Sequence, residues 1–304
     1  MTSLPNGLAA SAGEAALQRR GLLLVAGAAT VWSSGGLIVR GIEADPWTTI
    51  LWRSIFGALF LLGFIAIRDR GRTLDLFRRM GGPGLVVALC FATASTGFVI
   101  AVNLTTVANT LIILSTSPLL AALLGRVLLG ERVRARSWIA MTAAFFGIAI
   151  MVSNSFARGS AAGDLVAFVI AMAFAVAIVT TRRQREVRMT PATCLAAVFA
   201  ALFALPFAAP LAVSASDMGL LVLFGAVQFG GGLVLFTAGA RLAPAAEVAL
   251  VSVLETILGP VWVWLFLGEN PGVPALIGGV IVLAALAVHT ALDLRQTRPV
   301  PPAV

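Results

Sequence analysis

The sequence predicts an all-α membrane protein of ten transmembrane helices, arranged as two inverted five-helix repeats around a central cavity. Three observations predict it. Ten apolar stretches follow one another along the chain, the arginines are confined to alternate gaps between them, and the second half repeats part of the first at a constant offset.

Hydrophobic residues make up 60% of the 304 residues and charged residues 11%, where soluble domains carry about 25% charged residues. About 20 apolar residues take a helix across the hydrocarbon core. Stretches near that length lie at 21–39, 48–67, 84–102, 107–129, 137–153, 164–181, 191–209, 218–240, 246–267 and 274–289. Such continuous hydrophobicity excludes an outer-membrane barrel, whose strands alternate over roughly ten residues. Cys90 and Cys194 both fall inside spans and read as buried apolar residues rather than a disulfide. The first 18 residues, small and polar, read as a mobile tail, and the Pro-rich end after Leu294 as a disordered one.

The net charge of +8 would suit nucleic acid, but its distribution argues against that partner. All 21 basic residues are Arg, and 17 of them lie before the first span or after spans two, four, six, eight and ten. The opposite side carries only Arg40 and Arg158, while Arg53 and Arg126 lie within spans. The positive-inside rule places the Arg-rich side in the cytoplasm. Both termini are then cytoplasmic, and a bacterial inner membrane is the expected location.

The segment from Ala108, ANTLIILSTSPLLAALLGRVLLGERV, aligns with AEVALVSVLETILGPVWVWLFLGENP from Ala246 at an offset of 138. Leu129-Gly130-Glu131 lands on Leu267-Gly268-Glu269, and Phe98 on Phe236. Each half holds five spans, an odd number, so the second half enters the membrane inverted. Inverted repeats allow one half to rock against the other around a midplane site. The expected organisation is a cytoplasmic tail over 1–20, a first repeat over 21–153, a second over 164–290, and a tail over 291–304.

These residues resemble the EamA family of the drug/metabolite transporter superfamily. Its half-repeat has a Trp in the first helix, matched by Trp32 in AATVWSSGG, then a basic residue, matched by Arg40. A Pro opens its second helix with an Arg soon after, matched by Pro46 and Arg53. Its fourth helix carries a Pro and ends on a Glu, matched by Pro118 and Glu131. Gly147 fits the second of two spaced glycines in the fifth helix, with Ala140 at the first. The second half departs more. Glu255 stands where that family has Glu-Pro, but Thr256 follows it, and Gly278 is kept with Ala285 as its partner. The resemblance covers residues 21–290. It implies a ten-helix carrier with a central substrate cavity, and it supplies the expectations of export and of an amino-acid substrate class.

No catalytic cluster, metal-ligand spacing or phosphate loop is visible, so no cofactor, metal or enzyme activity is expected. Polar residues placed where lipid would lie are costly, and they normally face a bundle interior or a wet cavity. Glu255 lies mid-span on a face with Val248, Ser252, Gly259 and Trp262. It reads either as a substrate-amine or proton site, or as a hydrogen bond between helices. Gln228 shares a face with Gly225, Gly232, Leu235 and Gly239, a pattern that permits close helix approach. Phe229 beside it reads as cavity wall or lipid contact. Trp32 and Ser33, with Thr93 and Thr96, put aromatic and hydroxyl groups mid-span in helices one and three. Ser115, Thr116, Ser117 and Pro118 interrupt span four. Proline removes a backbone bond there, and hydroxyls re-satisfy the freed groups. Pro118 and Gly259 are the expected hinges. Arg53 either holds a substrate carboxylate, snorkels outward, or pairs with Glu43 or Asp45, and a structural role is favoured. Glu131 and Glu269 close spans four and nine against the helix macrodipole, so a neighbouring helix N-terminus should compensate.

The expected function is export of small amphipathic metabolites, amino acids including aromatic ones, by alternating access. A small-molecule substrate and the bilayer are the partners, and the protein is a monomer or weak dimer. The rivals are a proton-coupled exporter of drugs or organic cations using Glu255, and a membrane-embedded enzyme or lipid-handling protein.

Overall fold

The computed structural model describes residues 6–69, 73–130, 135–183 and 190–296, and every regular element among them is helical. Span one is α1 (Asn6–Ser33) followed by α2 (Gly35–Gly41), and span two is α3 (Pro46–Asp69). A short α4 (Thr73–Arg79) leads to span three, α5 (Gly81–Leu104). Span four is α6 (Val107–Leu114) and α7 (Ser117–Leu129); spans five, six and seven are α8 (Ala135–Arg158), α9 (Ala161–Arg183) and α10 (Thr190–Ala204). Span eight is built from α11 (Ala215–Val222), a π-helical segment (Leu223–Gly231) and α12 (Gly232–Gly239). Spans nine and ten are α13 (Ala245–Leu267) and α14 (Val273–Gln296).

Six spans combine the length and hydropathy to cross a membrane. The other four keep shorter apolar cores, Trp138–Ser153, Thr190–Ala204, Val251–Leu267 and Val273–His289. Of the boundaries that differ from the sequence reading, three bear on it most. The helix of span one begins at Asn6, because the Ala-rich residues read as a mobile tail are good helix formers. Span seven stops at Ala204, two residues before Pro206, and proline disfavours helical geometry in the residue before it. Span ten runs on to Gln296; the Pro-rich tail lies outside the described residues, as does Glu131.

The repeat is present in three dimensions. Gly130 and Gly268, matched in sequence, end α7 and α13 in the same left-handed conformation, each with φ of 67°. A side chain is unfavourable there, so glycine closes both helices. Packing partners also come in related pairs. Span one lies along span nine as span six lies along span four, and span three along seven as span eight along two. Spans five and ten pack on each other at the centre of this relationship, where a Cβ on Gly147 or Gly278 would strike the other's carbonyl oxygen. The chain is therefore a ten-helix protein of two inverted five-helix halves.

Spans one and nine run parallel in strict register. Gln18 Nε2 donates to Glu247 Oε2 at 2.7 Å, Trp262 Nε1 to Ser33 Oγ at 2.9 Å, and Arg40 Nε to Glu269 Oε2 at 2.8 Å. Each pair is separated by 229 residues. This seam joins the two halves along the length of the bundle.

Candidate functional site

Three spans lose regular α-helix part-way across. Span one breaks at Ser34, where Ser33 Oγ donates to Thr30 O and Ser34 Oγ to Val31 O, both at 2.7 Å. Span four breaks at Ser115 and Thr116, whose hydroxyls donate to Ile112 O and Ile113 O at 2.7 Å. Ser117 likewise donates to Leu114 O. Pro118 sits in the first turn of α7, where the missing N–H costs no helix bond. Span eight widens into the π segment, and such bulges recur at functional sites.

The π segment re-aims its side chains. The face drawn from sequence, Gly225 with Gln228, Gly232 and Gly239, is split. Gly225 packs backbone to backbone on Arg53 and Gly57 of α3. Gly232 and Gly239 pack instead on Trp32 and Gly21 of α1. Gln228 turns with the latter group, and its Nε2 donates to Trp32 O at 2.9 Å, beside the break in span one. Its Oε1 is buried without a hydrogen-bond partner. Trp32 packs on Phe236 at 5.3 Å between centroids, while a Cβ on Gly35 would meet Gln228 and Phe98. The repeat-matched pair Phe98 and Phe236 thus flank the same break.

Close approach at Gly225 and Gly57 also builds the setting of Arg53. That side chain is 6% exposed. It neither snorkels nor pairs with Glu43 or Asp45. Asp45 accepts from the Trp47 and Thr48 backbone N–H groups, and Arg53 has no ion pair among the described residues. Arg53 Nη1 donates to Ser95 Oγ at 2.9 Å and Ser95 O at 3.1 Å. Its Cζ lies 4.2 Å from the Phe224 ring centroid and 5.2 Å from that of Phe229, within cation–π range. Nε is buried without a partner, as is the neighbouring Ser54 Oγ. A buried cation answered only by neutral groups is costly, so this is the most informative polar group in the fold.

The remaining expected site residues fall outside this cluster. Ser33 is fully buried and held between Trp262 and Thr30. Gly259 admits Leu111 against the span-one break. Ser252 donates to Val248 O on its own helix. Thr96 is buried, and Thr93 is exposed with its hydroxyl turned back on Leu89 O. Glu255 is half-buried, with no hydrogen bond or ion pair among the described residues. The 229-residue register sets it level with Ala26, six residues along α1 from Trp32, or roughly 9 Å at 1.5 Å per residue. The structure thus pairs Gln228 with Trp32 and Arg53 with Phe229, both through the π segment, and sets Glu255 further along span nine.

Sequence reasoning missed a second feature at the bundle end that carries Arg40. Three carboxylates of the second half accept hydrogen bonds from the first. Glu269 takes Arg40 and, through Oε1, the Val107 N–H at 2.9 Å, so an α6 N-terminus compensates it as expected. Arg40 Nη2 also donates to Thr105 O at 3.0 Å. Asp164 accepts from Thr105 Oγ1 at 2.7 Å and Asn109 Nδ2 at 3.1 Å. Asp217 accepts from the Glu43 and Ala44 N–H groups at 3.3 and 3.1 Å. The available signal was positional, since Asp164 and Asp217 are carboxylates in the first turns of their helices, where the macrodipole favours them.

A cavity of about 420 Å³ lies away from both features, between α7, α8 and α9. Its lining is apolar apart from Thr116 and Thr142. Among the described residues, no three His, Cys, Asp or Glu side chains gather as a metal site requires.

Comparisons agree with this architecture. No curated protein matches the chain at a significant level. A solved crystal structure aligns over 91% of this chain and 99% of its own, with a TM-score of 0.64 at 22% identity, which establishes a shared fold. The profile of the EamA-like transporter family matches twice, over residues 19–153 and 161–291, once on each half. The chain therefore belongs to the EamA-like transporter family, as a multi-pass membrane transporter.

Proposed function

We propose that this transporter exports small amphipathic metabolites, amino acids including aromatic ones, across a bacterial inner membrane by alternating access, with both termini cytoplasmic. One observation carries the reading: at the seam between the halves, Gln228 of the second half reaches the broken span of the first, bonding Trp32 O. Polar groups buried at a break between inverted repeats are where carriers bind substrate. The aromatic walls there, Trp32, Phe236, Phe224 and Phe229, suit an apolar side chain, and the Arg distribution supports the orientation. The three-carboxylate latch then lies on the outer face. The test is a counterflow screen in proteoliposomes across amino acids, nucleosides, sugars and organic cations. Exchange of amino acids supports the proposal, and exchange confined to another class refutes it. A second reading, proton-coupled export of organic cations, is favoured by one fact: Glu255 lies in a membrane span without a partner among the described residues.

A further inference from the structure

We infer that Arg53 and Gln228 form the polar end of the substrate site, with Arg53 taking a carboxylate and Gln228 Oε1 a substrate ammonium. This rests on the carrier reading above and assigns its substrate class at the level of atoms. Four observations converge. Arg53 is 6% exposed and has no carboxylate partner among the described residues. Its Nη1 is committed to Ser95, while Nε, part of the edge that grips a carboxylate with two parallel bonds, has no partner. The Phe224 and Phe229 ring centroids lie 4.2 and 5.2 Å from its Cζ, so aromatic carbon flanks the guanidinium. Gln228 lies one turn from Phe224 on the same segment, buried, its Nε2 held by Trp32 O and its Oε1 unanswered. An amide oxygen accepts from an ammonium without adding charge. Together a fixed cation, a neutral acceptor and flat apolar walls match an α-amino acid with an aromatic side chain. They mismatch an organic cation, which Arg53 repels. Glu255, about two turns away along the register, is not needed to hold the ammonium.

The experiment uses the full-length protein with three probes: phenylalanine, 3-phenylpropionate, which lacks the ammonium, and phenethylamine, which lacks the carboxylate. Transport is read in proteoliposomes and binding by thermal shift of the purified protein. The wild type should bind phenylalanine and 3-phenylpropionate but not phenethylamine. Arg53→Gln should weaken both carboxylates by about 30-fold or more, the usual effect of truncating a buried charged partner. Arg53→Lys should recover part of that loss. Gln228→Leu should weaken phenylalanine more than 3-phenylpropionate. Equal binding of the carboxylates by wild type and Arg53→Gln overturns the inference, as does preference for phenethylamine. If wild type binds 3-phenylpropionate through Arg53 yet moves no amino acid, the amino-acid reading falls while the carboxylate site stands. Absence of any carboxylate binding removes both. Should Arg53→Gln fail to insert, Ser95→Ala, which frees Nη1, is expected to give a smaller loss of the same two probes.

Discussion

Arg40 and Glu269 meet at 2.8 Å and close one end of the bundle across the two halves. Neither acts alone. Glu269 also caps the α6 N-terminus through Val107 N–H, and Arg40 also holds Thr105 O. One ion pair therefore joins the ends of spans one and nine to the start of span four. Both side chains are under a third exposed, so solvent screens them less than a surface pair.

This latch should resist opening of the outer face. Hydrogen bonds to charged groups contribute about 1.5–3 kcal/mol each, so Arg40→Gln should shift the halves apart by about 10-fold or more in population. A cysteine at Ile38, buried below the latch, placed in a background lacking Cys90 and Cys194, is the reporter. Its labelling by an impermeant maleimide in right-side-out vesicles should rise by that factor in Arg40→Gln and in Glu269→Gln. An unchanged rate shows the latch to be dispensable.

The arginine count predicts the orientation. A cysteine at Asp75, in α4, should be labelled in inverted membranes and protected in intact cells. Labelling from outside would reverse the topology and move the latch to the cytoplasmic face.

Glu255→Gln keeps the shape of a half-buried side chain and removes its charge. The variant should reach the membrane at wild-type levels; under the proton-coupled reading it loses transport or its pH dependence between pH 6 and 8, whereas a site built on Arg53 and Gln228 keeps both. Transport like wild type across that range would mark Glu255 as a packing residue and leave Arg53 as the one candidate charge among the described mid-span residues.

Spans five and ten depend on the absence of side chains at Gly147 and Gly278. A Cβ at either position meets the partner's carbonyl oxygen, so the helices must separate. Gly278→Val should cost about 1–3 kcal/mol and lower the melting temperature in detergent. Gly63→Val, where nothing lies within 4 Å of the added Cβ, is the control and should leave it unchanged.

The sequence by itself determined the membrane class, the ten spans and the inverted repeat. Those properties are local or additive: hydropathy per helix, charge per gap, and a glycine at each matched helix end. Trp32, Gln228 and Phe229 stood out as candidates because a polar or aromatic group amid aliphatic sequence is conspicuous. Tertiary structure decided the rest. In sequence Arg53 admits a substrate carboxylate, snorkelling or a pair with Glu43 or Asp45, with a structural role favoured, because its position two turns into span two permits all three. Only the approach of the π segment at Gly225 and Gly57, which encloses the guanidinium between Phe224 and Phe229, puts it inside. A uniform period of 3.6 residues also placed Gly225 beside Gln228, and the π segment breaks that period. Asp164 and Asp217 stand in the first turns of their helices, and nothing local names their partners. Their partners, Thr105, Asn109, Glu43 and Ala44, belong to the other half, and a contact between distant segments exists only once both halves are packed.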